Sequence, residues 1–270
     1  MNFTLKIMGT ASAMPISDRN PSAQALSVHG RLFLIDCGEG AQRQMRRMHL
    51  SFVKVEAIFI SHIHGDHVFG LFGLLRSMAM YGRTGELYIY GPQALGSIVK
   101  FYESFFGTDG AFKIVFKAVK CREPQVVHES KAVRVSAFPL NHKIECYGYR
   151  FDEILTPKRA LAAEGDSSIV PKSYAYCSDT APFPELPGWI HGVDCLYHEA
   201  TYMDSMSDKA EKYYHSTTCQ AARCALEAGA GKLVVGHFSS RIVDFDAFKA
   251  ECTAIFPDTI VARDGDEVEI

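Results

Sequence analysis

No stretch of this chain approaches the ~18 uninterrupted apolar residues that a membrane span needs. The opening segment, Met1 to Pro15, carries one lysine, Lys6, and no apolar block with a cleavage site, so no secretory leader is expected. Nor is positive charge in excess. Lys and Arg total 28 against 31 Asp and Glu, a formal net charge of -3, which excludes a generally basic nucleic-acid coat while leaving a local basic patch open. Among the eight cysteines (Cys37, Cys121, Cys146, Cys177, Cys195, Cys219, Cys224 and Cys252) no C-x-x-C pair occurs, so neither a zinc ribbon nor a disulfide frame is suggested. Such thiols read as small buried side chains in a reducing compartment, and a cytoplasmic protein is expected.

Also missing are a Pro/Gly/Ser-rich linker and any short repeat. With 47% hydrophobic and 22% charged residues, the composition is that of a globular chain, and one domain over residues 1–270 is expected. Apolar, β-branched runs predict strands at Phe3–Ile7, Leu32–Ile35, Ala57–Ile60, Leu87–Tyr90, Tyr174–Cys177, Cys195–Tyr197, Lys232–Val235 and Thr259–Ala262. Helical spacing predicts helices at Glu39–Met48, Val68–Met80, Pro92 to about Phe106, and Asp246–Ile255. A capping box, Thr217-Thr218-Cys219-Gln220, opens another that ends at Gly229. Phe112 to Phe138 alternates as antiparallel strands do, and Asp152 to Lys172 reads as a loop. Two packed sheets with helices outside follow from that order.

The most informative segment is Ser61-His62-Ile63-His64-Gly65-Asp66-His67, directly after the apolar run Ala57–Ile60. In an extended turn residues two apart point the same way, so His62 and His64 can grip one ion. Gly65 lets the backbone turn tightly, carrying Asp66 and His67 towards a second position. Imidazole nitrogen with carboxylate oxygen suits zinc, although manganese and iron accept the same donors. One turn cannot close two metal shells. His142, Asp179 and His237 each follow a predicted strand and complete the set, with Asp179 as the natural bridging carboxylate.

These segments resemble the metallo-β-lactamase superfamily and, within it, the ribonuclease Z family, which trims the 3′ ends of precursor tRNA. The resemblance is carried by Gly9-Thr10-Ala11-Ser12-Ala13-Met14-Pro15, Asp36-Cys37-Gly38-Glu39-Gly40, the histidine motif, and Gly70-Leu71-Phe72-Gly73-Leu74-Leu75. It continues through Ser178-Asp179-Thr180, His198-Glu199-Ala200-Thr201, His215-Ser216-Thr217 and Gly236-His237-Phe238-Ser239-Ser240-Arg241. It implies an α/β (α+β) fold, a four-layered αββα sandwich, with two zinc ions per chain at one edge of the sheets. One zinc is assigned His62, His64, His142 and Asp179, the other Asp66, His67, Asp179 and His237. Precursor tRNA as substrate and a homodimer are implied with it.

Two further roles then follow. Asp66 orients the attacking water, and His215 protonates the leaving 3′-oxygen with Glu199 holding its imidazole. Arg241 and Lys143 are expected to meet substrate phosphates at the site rim, and Ser239 and Ser240 either to do the same or to cap their turn. Arg43, Arg46 and Arg47 read as a solvated helix face. The chain departs from the family at Phe72, where a proline is usual, and at Ile242, where an aromatic is common. Between Arg150 and Tyr174 the family inserts a Gly- and Pro-rich flexible arm that grasps the tRNA elbow. No such arm is recognisable here, so either it is reduced or a segment of it lies outside the sequence. The rival functions are a small-molecule phosphodiesterase or another metal-dependent hydrolase of this fold, and a metal-binding scaffold.

Overall fold

Leu32, Phe33, Leu34 and Ile35 are all buried, yet alternate residues serve different cores. Phe33 and Ile35 pack between two sheets, whereas Leu32 and Leu34 pack against helices. A strand buried on both faces needs an apolar layer on each side, and the chain supplies both.

The structure, a computed structural model, describes residues 3–270. The first half runs Phe3–Gly9 (β1), Ala23–Val28 (β2), Arg31–Cys37 (β3), Ala41–Arg47 (α1), Val55–Phe59 (β4), Gly65–Val68 (α2), Leu71–Met80 (α3), Leu87–Gly91 (β5), Leu95–Phe105 (α4) and Ile114–Ala118 (β6). The second runs Gln125–Glu129 (β7), Val133–Pro139 (β8), Tyr147–Glu153 (β9), Pro157–Ala163 (α5), Ser173–Cys177 (β10), Leu186–Trp189 (α6), Cys195–Glu199 (β11), Ser207–Tyr213 (α7), Thr218–Glu227 (α8), Leu233–Gly236 (β12), Phe245–Thr253 (α9), Thr259–Val261 (β13) and Glu267–Glu269 (β14). Two seven-stranded sheets form, in the orders β14-β1-β2-β3-β4-β5-β6 and β13-β12-β11-β10-β9-β8-β7.

Three apolar cores define the layers. Leu5, Ile7, Phe59, Tyr149, Phe151, Tyr174 and Tyr176 fill the space between the sheets. Met45 of α1, Leu74 and Met78 of α3, and Val99 and Tyr102 of α4 cover the outer face of the first sheet. Leu186 of α6, Ala221 and Ala225 of α8, and Phe248 and Cys252 of α9 cover the second. The result is the αββα sandwich. Strands β3 to β6 run parallel in one sheet, and β10 to β13 in the other.

Three expectations are corrected. The helix expected over Val68–Met80 is two: α2 and α3 are separated by Phe69-Gly70, where Gly70 N donates to the Cys37 carbonyl at 2.8 Å. A Cβ at Gly70 would overlap the Gly38 carbonyl oxygen, so the break comes from close contact with the turn after β3. Within Phe112–Phe138, β6 lies parallel to β5 in the first sheet, with Leu87 opposite Ile114, and only β7 and β8 form an antiparallel pair there. Residues 152–172 are not wholly loop. Asp152 and Glu153 end β9, and α5 opens on Pro157 with Arg159 paired to Glu153. No α5 residue is buried, so it has no apolar stripe by which the sequence could announce it. Among the described residues no helix is long and apolar enough to cross a membrane.

Because Gly70 lets the α2–α3 corner seat against the strand-end turn, Gly70→Ala should overpack that contact. We expect a loss of roughly 1–3 kcal/mol, read as a lowered urea midpoint; an unchanged midpoint would show that the turn yields.

Candidate metal centre

Most of the chemistry-bearing side chains lie at or just beyond the carboxyl ends of strands, where open α/β sheets place their ligands. Strand β4 leads to His62, His64, Asp66 and His67, β8 to His142, β10 to Asp179, β11 ends in Glu199, and β12 leads to His237. The sandwich brings these ends to one edge. Tyr147 N donates to Ser61 O at 3.0 Å and Tyr149 hydroxyl to Ile60 O at 2.7 Å, tying the histidine loop to the second sheet.

Two groups of ligand atoms face one carboxylate. His62, His64, His142 and Asp179 offer donor atoms within 4.8 Å of one another, and Asp66, His67 and His237 form a second such group. Asp179 lies between them. Its Oδ2 is 3.6 Å from His62 Nε2 and 3.8 Å from His142 Nε2, while its Oδ1 is 3.3 Å from both His67 Nε2 and His237 Nε2. Every residue expected as a metal ligand is thus in the cluster.

The other nitrogen of several imidazoles is already engaged, and that fixes which atom faces inward. His67 Nδ1 is 2.7 Å from Asp36 Oδ2, His62 Nδ1 is 2.9 Å from Ser61 Oγ, His142 Nδ1 donates to Tyr214 O at 3.1 Å, and His237 Nδ1 is 2.9 Å from Thr201 Oγ1. The inward nitrogens crowd one another: His62 Nε2 lies 3.0 Å from His64 Nδ1, and His67 Nε2 3.3 Å from His237 Nε2. Asp179 Oδ1 is buried without a hydrogen-bond partner. Converging lone pairs and an orphaned carboxylate oxygen are what a divalent cation would satisfy, and the nitrogen–oxygen donor set fits zinc. The residues present fit the metal.

The electrostatics agree. Burial lowers the His62 ring well below the usual imidazole range, with His67 adding to it, and burial lowers His64 and His142 as well. Burial raises Asp66 and Asp179, but the neighbouring histidines outweigh it and hold both carboxyls well below their ordinary values. Neutral His62, His64 and His142 rings beside ionised carboxylates favour positive charge there, while at His67 burial lowers the ring but Asp179, Asp66 and Asp36 outweigh it and hold it well above the usual imidazole range.

Beside this cluster stands a second pair. His215 Nδ1 is 3.1 Å from Glu199 Oε1, and Glu199 is fully buried. Burial lowers the His215 ring, yet the Glu199 carboxylate more than offsets it and the ring is pushed up to about 9. Glu199 also accepts from Ser216 N at 2.8 Å, Thr180 N at 3.2 Å and Thr201 N at 2.8 Å.

The expected rim residues fall less tightly. Lys143 Nζ lies 4.8 Å over the Tyr213 ring, and Arg241 is exposed. Ser239 Oγ accepts from Arg241 N at 3.3 Å, the turn-capping alternative. Two residues were given no role from sequence: Asp36, which holds His67 and accepts from Tyr176 hydroxyl at 2.6 Å and Ser61 N at 2.7 Å, and Thr201, which joins Glu199 to His237. Both sit inside segments that carried the resemblance. Asp36, Tyr214 and His237, in or beside the cluster, have positive φ (56°, 60° and 62°).

The likeness to known proteins matches this geometry. A family model described as the beta-lactamase superfamily domain matches residues 31–238, and the class is therefore that superfamily. Ribonuclease Z of Bacteroides fragilis is 38% identical over 97% of both chains, and ribonuclease Z of Porphyromonas gingivalis 35% identical over 99% of both. The crystal structure of human tRNase Z, short form, superposes with a TM-score of 0.81 at 27% identity, covering 98% of each chain. The chain belongs to the ribonuclease Z family. The Bacteroides alignment spans 295 positions, more than the 270 residues here, so that relative holds residues with no counterpart in this chain.

Asp36 fixes the inward nitrogen of His67, so Asp36→Ala should weaken zinc binding by about 10–100-fold, measured by competition with a chromophoric chelator. Affinity equal to the parent protein would remove that role.

Proposed function

We propose that this protein is a zinc-dependent endoribonuclease that removes the 3′ trailer from precursor tRNA, leaving a 3′-hydroxyl on the tRNA and a 5′-phosphate on the trailer. The observation that carries this reading is the pairing of buried Glu199 with half-buried His215, standing beside two candidate ligand groups that meet at Asp179, in a chain of the ribonuclease Z family.

His62, His64, His142 and Asp179 would hold one zinc ion, and Asp66, His67, Asp179 and His237 the other. Bound there, zinc supplies a water of lowered pKa as nucleophile and neutralises charge on the phosphate. Asp66, whose Oδ2 accepts from Ala13 N at 2.7 Å, is held in place to orient the attacking water. Attack at phosphorus breaks the bond to the 3′-oxygen, which needs a proton as it leaves. With Nδ1 committed to Glu199, His215 presents Nε2 to that oxygen and gives up the proton there. Glu199, already accepting several backbone N–H groups, stays ionised and steadies the charged ring rather than taking its proton.

Lys143 and Arg241 meet substrate phosphates at the rim. The side chains of Phe101, Phe105 and Phe106, on and after α4, are exposed by 51%, 73% and 58%, which supports pairing into a homodimer. The reaction belongs in the cytoplasm, where the reduced thiols also fit.

The test is cleavage of a 3′-extended tRNA transcript, with both new ends mapped. His215→Ala should retain its zinc and lose turnover by about 10²–10⁴-fold; undiminished turnover would exclude His215. A recovered 2′,3′-cyclic phosphate would mean attack by the neighbouring 2′-hydroxyl and would overturn the water-derived mechanism.

The acid must be protonated to act. Turnover should therefore be sustained at neutral pH and fall as pH rises through about 9. Glu199→Gln removes the carboxylate that raises the ring, so the fall should move to lower pH. A profile with the same alkaline limb in both proteins would detach that limb from His215.

A further inference from the structure

The three arginines of α1 are left unused by the chemistry above. Two of them, Arg43 and Arg46, line a groove of about 540 Å³ together with Pro15, Gly40, Phe69 and Gly73. Arg43 donates to Asn20 Oδ1 at 3.2 Å and Arg46 lies 5.9 Å from the Tyr81 ring centre, but among the described residues neither forms an ion pair. The only acid lining the groove is Glu39. Charge here favours an anion.

Phe69 joins this groove to the metal centre. It lies three residues after Asp66 and two after His67, and 74% of it is exposed. A Cβ placed on Gly65 would overlap the Phe69 ring, so the ring packs closely against the glycine between His64 and Asp66. An aromatic face held open at the lip of a phosphate-cleaving site, with two unpaired guanidinium groups beyond it, is the pairing by which single-stranded nucleic acid is bound: bases stack, and cations follow the backbone. The groove on the His215 side is lined instead by Asn141, Pro182, Lys212, Tyr214 and His215, and no residue lines both.

We propose that the Phe69–Arg43–Arg46 groove holds the single-stranded trailer downstream of the scissile phosphate. The inference rests on the proposed reaction. There the leaving 3′-oxygen belongs to the tRNA and faces His215, whereas the trailer keeps the phosphate at the ligand cluster. The trailer's first base stacks on Phe69, and the next phosphates pass Arg43 and Arg46.

Two precursors of one tRNA test this, one with a single-nucleotide trailer and one with a trailer of several nucleotides. The parent enzyme should cleave the longer substrate with higher kcat/KM. The variant Arg43→Gln/Arg46→Gln should lower kcat/KM for the long trailer by about tenfold, leave the single-nucleotide trailer within about twofold, and reduce the salt dependence of KM for the long substrate by about one unit of slope. Phe69→Leu, which keeps apolar bulk without a flat face, should lower kcat/KM for both precursors by about tenfold, the scale of one lost stacked base, because each has a first trailer base. Equal losses on both substrates in the double-arginine variant, or no loss in either variant, would overturn the assignment. A parent enzyme that cuts neither precursor would remove the underlying reaction, an outcome distinct from a loss confined to the variants.

Discussion

A carboxylate shut away from water costs several kcal/mol unless donors or a cation meet it. Asp179 is 3% exposed, its Oδ1 has no hydrogen-bond partner, and its two oxygens look at four imidazole nitrogens from three strand-end loops. The rest of the site is arranged around that constraint. Ser61, Asp36, Tyr214 and Thr201 each engage the far nitrogen of one histidine, so the near nitrogens are left to face Asp179 and one another. Without a cation the assembly is a crowd of lone pairs around a stranded charge.

The sandwich is what lets such a cluster exist. Candidate ligands separated by as many as 175 positions, from His62 to His237, converge because strands in both sheets deliver their carboxyl ends to one edge. The same edge carries Glu199 at the end of β11 and, through its contact with it, His215 just before α8. Glu199 and Asp36 are both completely buried, and each spends its oxygens on backbone or hydroxyl donors as well as on a histidine. Rigid, satisfied carboxylates behind the ligands set the ring orientations before substrate arrives.

Much of this was legible in sequence because its signals are local. The spacing His62-x-His64-x-Asp66-His67 after an apolar strand states a metal turn outright, and the short buried strands before Asp179 and His237 mark where further ligands emerge. Other features depend on contacts the sequence does not print. The parallel register of β6 on β5 is a tertiary choice that an alternating pattern cannot distinguish from a hairpin. The break between α2 and α3 is imposed by the Gly38 carbonyl, thirty-two positions upstream of Gly70. Helix α5 buries nothing and so leaves no periodic trace. Asp36 and Thr201 were in view as motif letters, but their work consists of reaching His67 and His237, which only the folded geometry reveals.

The central claim is that one buried carboxylate serves two metal ions. Native mass spectrometry of the zinc-saturated protein, after exchange into a volatile buffer, measures it most directly. The account predicts two zinc ions per chain in the parent protein and at most one in Asp179→Ala. A parent chain that saturates at a single ion, or an Asp179→Ala chain that keeps both, would contradict it.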